Sequence, residues 1–304
     1  MGRLGLFPVT IGSMMTTRVS DQVNTDAVVA AVLAWGGPRL RDLPWRRTRD
    51  PWAVLVSEVM SQQTGVDRVV PKWEAFMERF PTPADCATGS LAEILEIWSG
   101  LGYPRRATAL REAAIQIAAT GWPVDVAGLM ALPGVGPYTA RAVAAFAYGD
   151  HVAVVDTNVG RILARISGRA LRPTEAQQCA DVFVPEGESW MWNQVLMDFG
   201  ATICTSSRPQ CSECPIAEHC RWAGGPEPDP AARSAGVSRP QSRFAGSDRE
   251  ARGRLLRAVV AADVAIGDAA AVMDRSEAVA ARIIASLIAD GLVCREGDVL
   301  RCAE

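Results

Sequence analysis

Leu129-Met-Ala-Leu-Pro-Gly-Val-Gly-Pro-Tyr-Thr-Ala140 is the most informative run in the chain. An apolar helix end meets Pro133-Gly134-Val135-Gly136, and a second helix is set to start at Pro137 and run through Ala142, Val143 and Phe146. Proline at a first helical position and two glycines in the turn fit a helix–tight turn–helix unit. Such a turn presents backbone N–H groups at a helix start, where glycines let a phosphate approach and the helix dipole favours the anion. A bare G-x-G is weak, because most such turns are structural. The complete Leu-Pro-Gly-Val-Gly run between two apolar helices is much more specific. Pro133, Gly134, Val135 and Gly136 are therefore candidate contacts to a phosphate backbone.

Working outward, helical periodicity dominates and strand patterns are scarce before residue 290. Asp50-Pro51 starts a helix expected to run to about Thr64, with Val54, Leu55, Val59 and Met60 facing inward. Ser90 and Glu93 form a capping-box pattern before Ile94, Leu95, Ile97 and Trp98. A further helix follows Pro104 through Leu110, Ile115 and Ile117. Asp156 and Thr157 open the next, and Trp190 to Ile203 forms another. From Ala223 to Gly246 the composition shifts to Pro, Gly, Ser and Arg, as a linker does. Beyond it, Arg249 to Ala262 and Ser276 to Asp290 read as helices, and residues 291–302 as strand, turn and strand. This order predicts a small winged-helix-like tail. The expected division is an N-terminal extension at 1–20, a helical body at 21–222, a linker at 223–247 and the tail at 248–304.

The bulk properties agree with this reading. The 304 residues exceed one average domain, and 49% hydrophobic content supports a sizeable core. No apolar run is long enough to span a bilayer, and the first 20 residues make a poor signal peptide, so a cytoplasmic protein is expected. The net charge of −3 excludes nucleic-acid binding by overall charge, but not through a local basic surface and backbone amides. Lys72 is the only lysine.

Cys204, Cys211, Cys214 and Cys220 have spacing C-x6-C-x2-C-x5-C, while Cys86, Cys179, Cys294 and Cys302 are scattered. Clustering of this kind reads as an intracellular metal site rather than a disulfide framework. Four thiolates hold either a [4Fe–4S] cluster or a tetrahedral zinc, and spacing leaves both open. Arg208, His219 and Arg221 flank the loop and are either phosphate contacts or ordinary solvated side chains.

Two carboxylates stand out. Glu58 lies in the apolar helix segment Val-Ser-Glu-Val-Met, and Asp156 follows the apolar run Val152-Ala-Val-Val155. A buried acid that keeps its proton can act as general acid, while a second, ionised acid stabilises a developing sugar cation. The plainer alternatives are a polar helix face for Glu58 and a helix cap for Asp156. Gln62-Gln63-Thr64 and Tyr103, after Gly100-Leu-Gly102, either wedge into a base stack or are ordinary surface.

Together these stretches resemble the helix-hairpin-helix DNA glycosylases, most closely the MutY-type adenine glycosylases. The matching runs are Leu43-Pro-Trp-Arg46, Ser57-Glu-Val-Met-Ser-Gln-Gln-Thr64, Trp98-Ser-Gly-Leu-Gly-Tyr103, the hairpin, Val155-Asp-Thr-Asn-Val159 and the four-cysteine loop. The resemblance implies a mainly α, two-lobed body whose cysteine loop carries [4Fe–4S] rather than zinc. It further implies a monomeric, nucleoid-associated repair enzyme acting on double-stranded DNA with A:8-oxoguanine or A:G mispairs. Within it, Glu58 matches the acid that protonates adenine, Asp156 the carboxylate beneath the sugar, and Asn158 a residue supporting that pair. Trp45, Arg46 and Gln194 match the pocket around the extruded adenine. Gln63, Thr64 and Tyr103 match residues intruding at the lesion-bearing base. Strand-nicking relatives carry a lysine where this chain has Tyr138, so the resemblance implies base removal without efficient nicking. The rival readings are a thymine or uracil mismatch glycosylase and a non-catalytic iron–sulfur DNA-binding module. Many family members end in a Nudix-like domain, in whose place this chain has the short tail.

Overall fold

A computed structural model of the chain describes residues 23–234 and 243–303. The expected extension at 1–20 lies outside the described residues. Helices account for almost all of the regular structure in the body: α1 (Thr25–Gly36), α2 (Pro51–Ser61), α3 (Val66–Arg79), α4 (Pro83–Thr88), α5 (Leu91–Trp98), α6 (Arg105–Thr120), α7 (Val126–Met130), α8 (Pro137–Val143), α9 (Thr157–Ser167), α10 (Pro173–Phe183) and α11 (Ser189–Thr202). The tail contains α12 (Asp248–Ala261), α13 (Ala269–Met273) and α14 (Glu277–Ala289), with strands β1 (Val264–Ala265), β2 (Val293–Glu296) and β3 (Val299–Cys302).

The local reasons for these elements are plain. Asp50 accepts the Trp52 N–H and Pro51 occupies the first helical position, so α2 starts where expected. Thr82 with Asp85, and Ser90 with Glu93, complete reciprocal capping boxes for α4 and α5, each worth about 1 kcal/mol. Asp156 accepts the Val159 N–H and opens α9, which ends at Gly168 in the left-handed conformation.

The body has two lobes. Helices α2–α8 enclose an apolar cluster that includes Trp52, Leu55, Phe76, Ile94, Trp98 and Leu110. A second cluster, with Val32, Ile162, Leu163, Phe183, Trp192 and Phe199, joins α1 to α9–α11 and the cysteine loop. Arg49 ties α11 to the first cluster: it donates to the Phe146 carbonyl at 2.8 Å and lies over the ring of Trp190, on α11, at 4.6 Å.

Several elements differ from expectation. Helix α2 stops at Ser61 rather than near Thr64, because Gln63 takes a positive φ of 54°. Ile115 on α6 is exposed, whereas Leu110 and Ile117 are buried. The second hairpin helix changes after Val143 into a π-turn over Ala144–Tyr148, which contains Phe146. The first part of the Pro/Gly/Ser/Arg stretch is not free chain: Ala231 is buried, and the Leu171 N–H donates to Ser234 Oγ.

In the tail, the sheet order is β1-β3-β2, all antiparallel, with Val264 opposite Leu300 and Val293 opposite Cys302. Only the β2–β3 pair was expected. The two-residue β1 is too short to show an alternation. Leu255, Met273, Ile283, Leu287 and Leu300 continue the core of the first lobe, and Arg105 reaches Asp290 of the tail at 3.5 Å. Among the described residues, no helix is long and apolar enough to cross a membrane.

Candidate active site and cluster loop

Glu58 is buried on α2, with 8% of its surface exposed. Tyr138, on the first turn of α8, donates its O–H to Glu58 Oε2 at 2.7 Å. Burial pushes the Glu58 carboxyl up to about 7; the Tyr138 hydrogen bond opposes this, the nearby Asp156 charge adds to it and Arg46 opposes it. Tyr138 occupies Oε2, which leaves Oε1 to carry the proton. Burial also raises the Tyr138 phenol well above its ordinary range, with Glu58 and Asp156 adding to the rise, so it remains a donor.

Asp156 is both a cap and a member of this site. Its Oδ1 accepts the Val159 N–H at 2.7 Å and its Oδ2 accepts the Asn158 amide at 2.8 Å. Burial raises its carboxyl, while these two donors and the Arg161 charge favour the ionised form. Thus two acids share one site with different support. Glu58 has a single neutral donor, and Asp156 has several donors aimed at the anion.

Arg46, beside Trp45, has a buried side chain and clasps Asp198 of α11 through two parallel bonds of 2.8 and 2.9 Å. Arg41 donates to the same carboxylate. Gln194 stands one turn before Asp198 and is buried. Trp45 is buried edge-on against Trp73. Asp198, Arg41 and Arg161 were missed in the sequence. A carboxylate inside the apolar helix segment Val-Leu-Met-Asp-Phe was a usable sign for Asp198.

The turns that carry Gln63, Thr64 and Tyr103 meet at a second point. Thr64 donates to the Leu101 carbonyl at 3.1 Å, joining the two turns, and Gln62 donates to Thr139 Oγ1 at 3.4 Å, next to Tyr138. Gln63 and Tyr103 are exposed. In the hairpin, Val135 is buried and anchors the turn, while Gly134 and Gly136 are exposed. Gly134 has φ of +72°, and a Cβ there would sit 2.7 Å from the Ala109 Cβ. Gly136 has no such constraint: a Cβ would enter open space.

The four clustered cysteines line one cavity with Ile162, Ile166, Phe199, Ile203 and Ile216. Among the described residues, no three His, Cys, Asp or Glu side chains are set around a single ion. Four thiols lining one cavity can serve as the corners of a polynuclear cluster. Arg165 donates to Cys204 Sγ at 3.3 Å, stacks on Trp222 at 4.7 Å and pairs with Asp229 at 2.6 Å. Arg161 donates to the Cys204 carbonyl and to Asn158 Oδ1, each at 2.7 Å. A continuous chain Asp156–Asn158–Arg161–Cys204 therefore ties the acid to the cysteine loop. Arg208 and Arg221 are exposed, and His219 is half-buried.

Comparison with known proteins agrees with this geometry. Residues 56–183 match the family described as HhH-GPD superfamily base excision DNA repair protein. Residues 204–220 match the iron–sulfur binding domain of endonuclease III, so the loop holds a [4Fe–4S] cluster. An adenine DNA glycosylase of Mycolicibacterium smegmatis is 45% identical over 74% of this chain and 78% of its own length. One from Mycobacterium tuberculosis is 43% identical over 88% and 90%, a span that reaches into the tail. Among solved structures, a thermostable thymine-DNA glycosylase superposes with a TM-score of 0.61 at 28% identity, over 66% of this chain and 96% of that one. With two acids in one site, the hairpin and the cysteine loop in place, the chain belongs to the adenine DNA glycosylase family of the HhH-GPD base-excision repair superfamily.

Proposed function

We propose that this chain hydrolyses the N-glycosidic bond of adenine mispaired with 8-oxoguanine or guanine in duplex DNA. The observation that carries the reading is the buried Glu58, bonded to Tyr138 beside the Asp156 carboxylate. The target base must leave the stack to reach buried acids, and Trp45, Arg46 and Gln194 would wall its pocket. Glu58 Oε1 gives its proton to N7 of the extruded adenine. The C1′–N9 bond then breaks with its electron pair going to the base. Asp156 stabilises the positive sugar from beneath. Water adds to C1′ and gives a proton back to Glu58, leaving adenine and an abasic site.

Gln63, Thr64 and Tyr103 would fill the space at the opposing base. The hairpin would take the DNA backbone: nothing in the protein requires glycine at 136, which suits close approach by a phosphate. Tyr138 stands where a nicking enzyme needs an amine, so no Schiff base forms there. Cys204, Cys211, Cys214 and Cys220 would hold the cluster, which would supply a structural cross-link in the loop; Arg161, bonded to the Cys204 carbonyl and to Asn158, keeps Asn158 on Asp156. We assign the helical body to 21–222, with residues 223–234 packed against it, and the tail to 248–304, and we read the protein as a monomer at the nucleoid.

A panel of duplexes bearing A:8-oxoguanine, A:G, T:G and U:G, run with and without alkali, tests the assignment. Base loss confined to adenine, with strand breaks only after alkali, is expected. Thymine release, or breaks without alkali, would overturn it.

A further inference from the structure

Arg106 has no role in the chemistry above, yet it is the most heavily engaged arginine near the two exposed turns. One guanidinium nitrogen donates to the carbonyls of Val59 (2.6 Å), Met60 (3.2 Å) and Gln62 (2.7 Å). The other donates to Thr64 Oγ1 (3.4 Å) and to the carbonyls of Leu101 (3.1 Å) and Gly102 (3.0 Å). Its plane also lies 5.5 Å from the Trp98 ring and 5.4 Å from the Tyr103 ring.

Two features make this more than a satisfied side chain. First, the Val59 and Met60 carbonyls belong to the last turn of α2, the helix that carries Glu58. A helix leaves its final carbonyls without intrahelical partners, and a cation there complements the dipole. Second, the turns it joins contain two of the four non-glycine residues with positive φ among the described residues, Gln63 at 54° and Tyr103 at 48°. Such conformations are strained for a residue with a Cβ and persist only where surroundings over-determine them. A planar fork reaching both turns supplies that restraint, and an ammonium, as a point charge, does not.

We propose that Arg106 is a positioning residue that holds the 62–64 and 101–103 turns as one wedge, registered to the helix bearing Glu58. Insertion at the opposing base and delivery of adenine to the acid are thereby coupled. The inference rests on the glycosylase reading and extends it to how opposing-base recognition reaches the catalytic helix.

The test compares wild type with Arg106→Gln and Arg106→Lys, all cluster-loaded, by three readouts. The first is the single-turnover rate on A:8-oxoguanine and A:G duplexes. The second is the fluorescence rise of 2-aminopurine placed next to the mispaired adenine, measured in a Glu58→Gln background. The third is amide hydrogen exchange of segments 57–66 and 99–107 without DNA. A clamp predicts a rate loss of about 100-fold on A:8-oxoguanine, the scale of a 1 Å misplacement. It also predicts a lower A:8-oxoguanine over A:G rate ratio, a reduced fluorescence rise and faster exchange in both segments together. A purely structural loss scales both duplex rates alike and leaves their ratio intact. An unchanged ratio with an unchanged fluorescence rise would overturn the proposal, as would exchange rising in only one segment. If wild type releases no adenine, the glycosylase assignment falls, and the exchange experiment still judges the clamp. If the Gln variant does not hold its cluster, the Lys variant decides on the same three readouts.

Discussion

Glu58→Gln separates the shape of the buried acid from its charge. Gln preserves the volume and a carbonyl oxygen to accept the Tyr138 O–H, now at 2.7 Å from Oε2, but it cannot give up a proton. Burial is the main cause lifting the Glu58 carboxyl from 4.5 to about 7, a rise of 7 − 4.5, or about 2.5. At 1.36 kcal/mol per pKa unit this corresponds to about 3 kcal/mol. The folded protein holds this proton more tightly than the unfolded chain does. The stabilisation is therefore fully present below pH 4.5 and is lost as pH rises through about 7. Above that range wild type carries a buried anion and the Gln variant does not. The two should thus melt together near pH 4.5. At about pH 8 the variant should be more stable by up to about 3 kcal/mol, roughly 5 °C for a chain of this size. In the same variant, loss of a general acid should lower single-turnover adenine release by at least about 100-fold. Calorimetry of cluster-loaded protein at both pH values, with a rate measurement beside it, checks the pair. A stability gain of equal size at both pH values, or no gain at the higher one, would refute the placement of an ionising carboxyl in a dry pocket.

Other consequences are open to test. The pH profile of kcat/KM should fall on the alkaline side with a limb near 7, where Glu58 loses its proton; a profile flat to about pH 9 would argue against Glu58 as acid. Asp198→Ala strands the Arg46 guanidinium, whose side chain is only 6% exposed, and should destabilise by about 3–5 kcal/mol. With its counter-ion gone, the stranded Arg46 charge lowers the Glu58 carboxyl further, and the alkaline limb should move to lower pH. Gly200→Ala places a Cβ 2.5 Å from the Asn158 Cβ and 3.2 Å from its Cα. That clash should push Asn158 off Asp156 and slow base release more than it lowers duplex affinity, as a KM-against-kcat comparison would report. Equal losses in both would point to general unfolding instead.

Much of this molecule was readable one segment at a time, and the physics of the readable parts is local. Asp50-Pro51, Ser90 with Glu93, and Asp156 announce helix starts because a cap and its N–H lie within three residues of each other. The hairpin announces itself because Gly134 needs a positive φ and Pro137 a first-turn site. The cysteine loop is legible because all four thiols fall within one short segment. In each case cause and effect share a few consecutive residues, so order and spacing were enough to mark helix starts, the hairpin and the cysteine loop, while the two acids drew their roles only from the family resemblance.

The remainder depends on residues far apart in the chain. Whether Glu58 was a polar helix face or a buried acid turned on Tyr138, 80 positions later, and on Asp156 beyond it. Arg46 found Asp198 across 152 positions, and Arg106 closed a gap of 47 to grip the end of α2. Helix α2 stopped short of Thr64 where that grip replaces its own hydrogen bonds, and residues 223–234 settled on α9 through the Arg165–Asp229 pair. Residue type and period report which face of an element is apolar. Desolvation and charge pairing are set by what packs against that face, and they exist only once the lobes have come together.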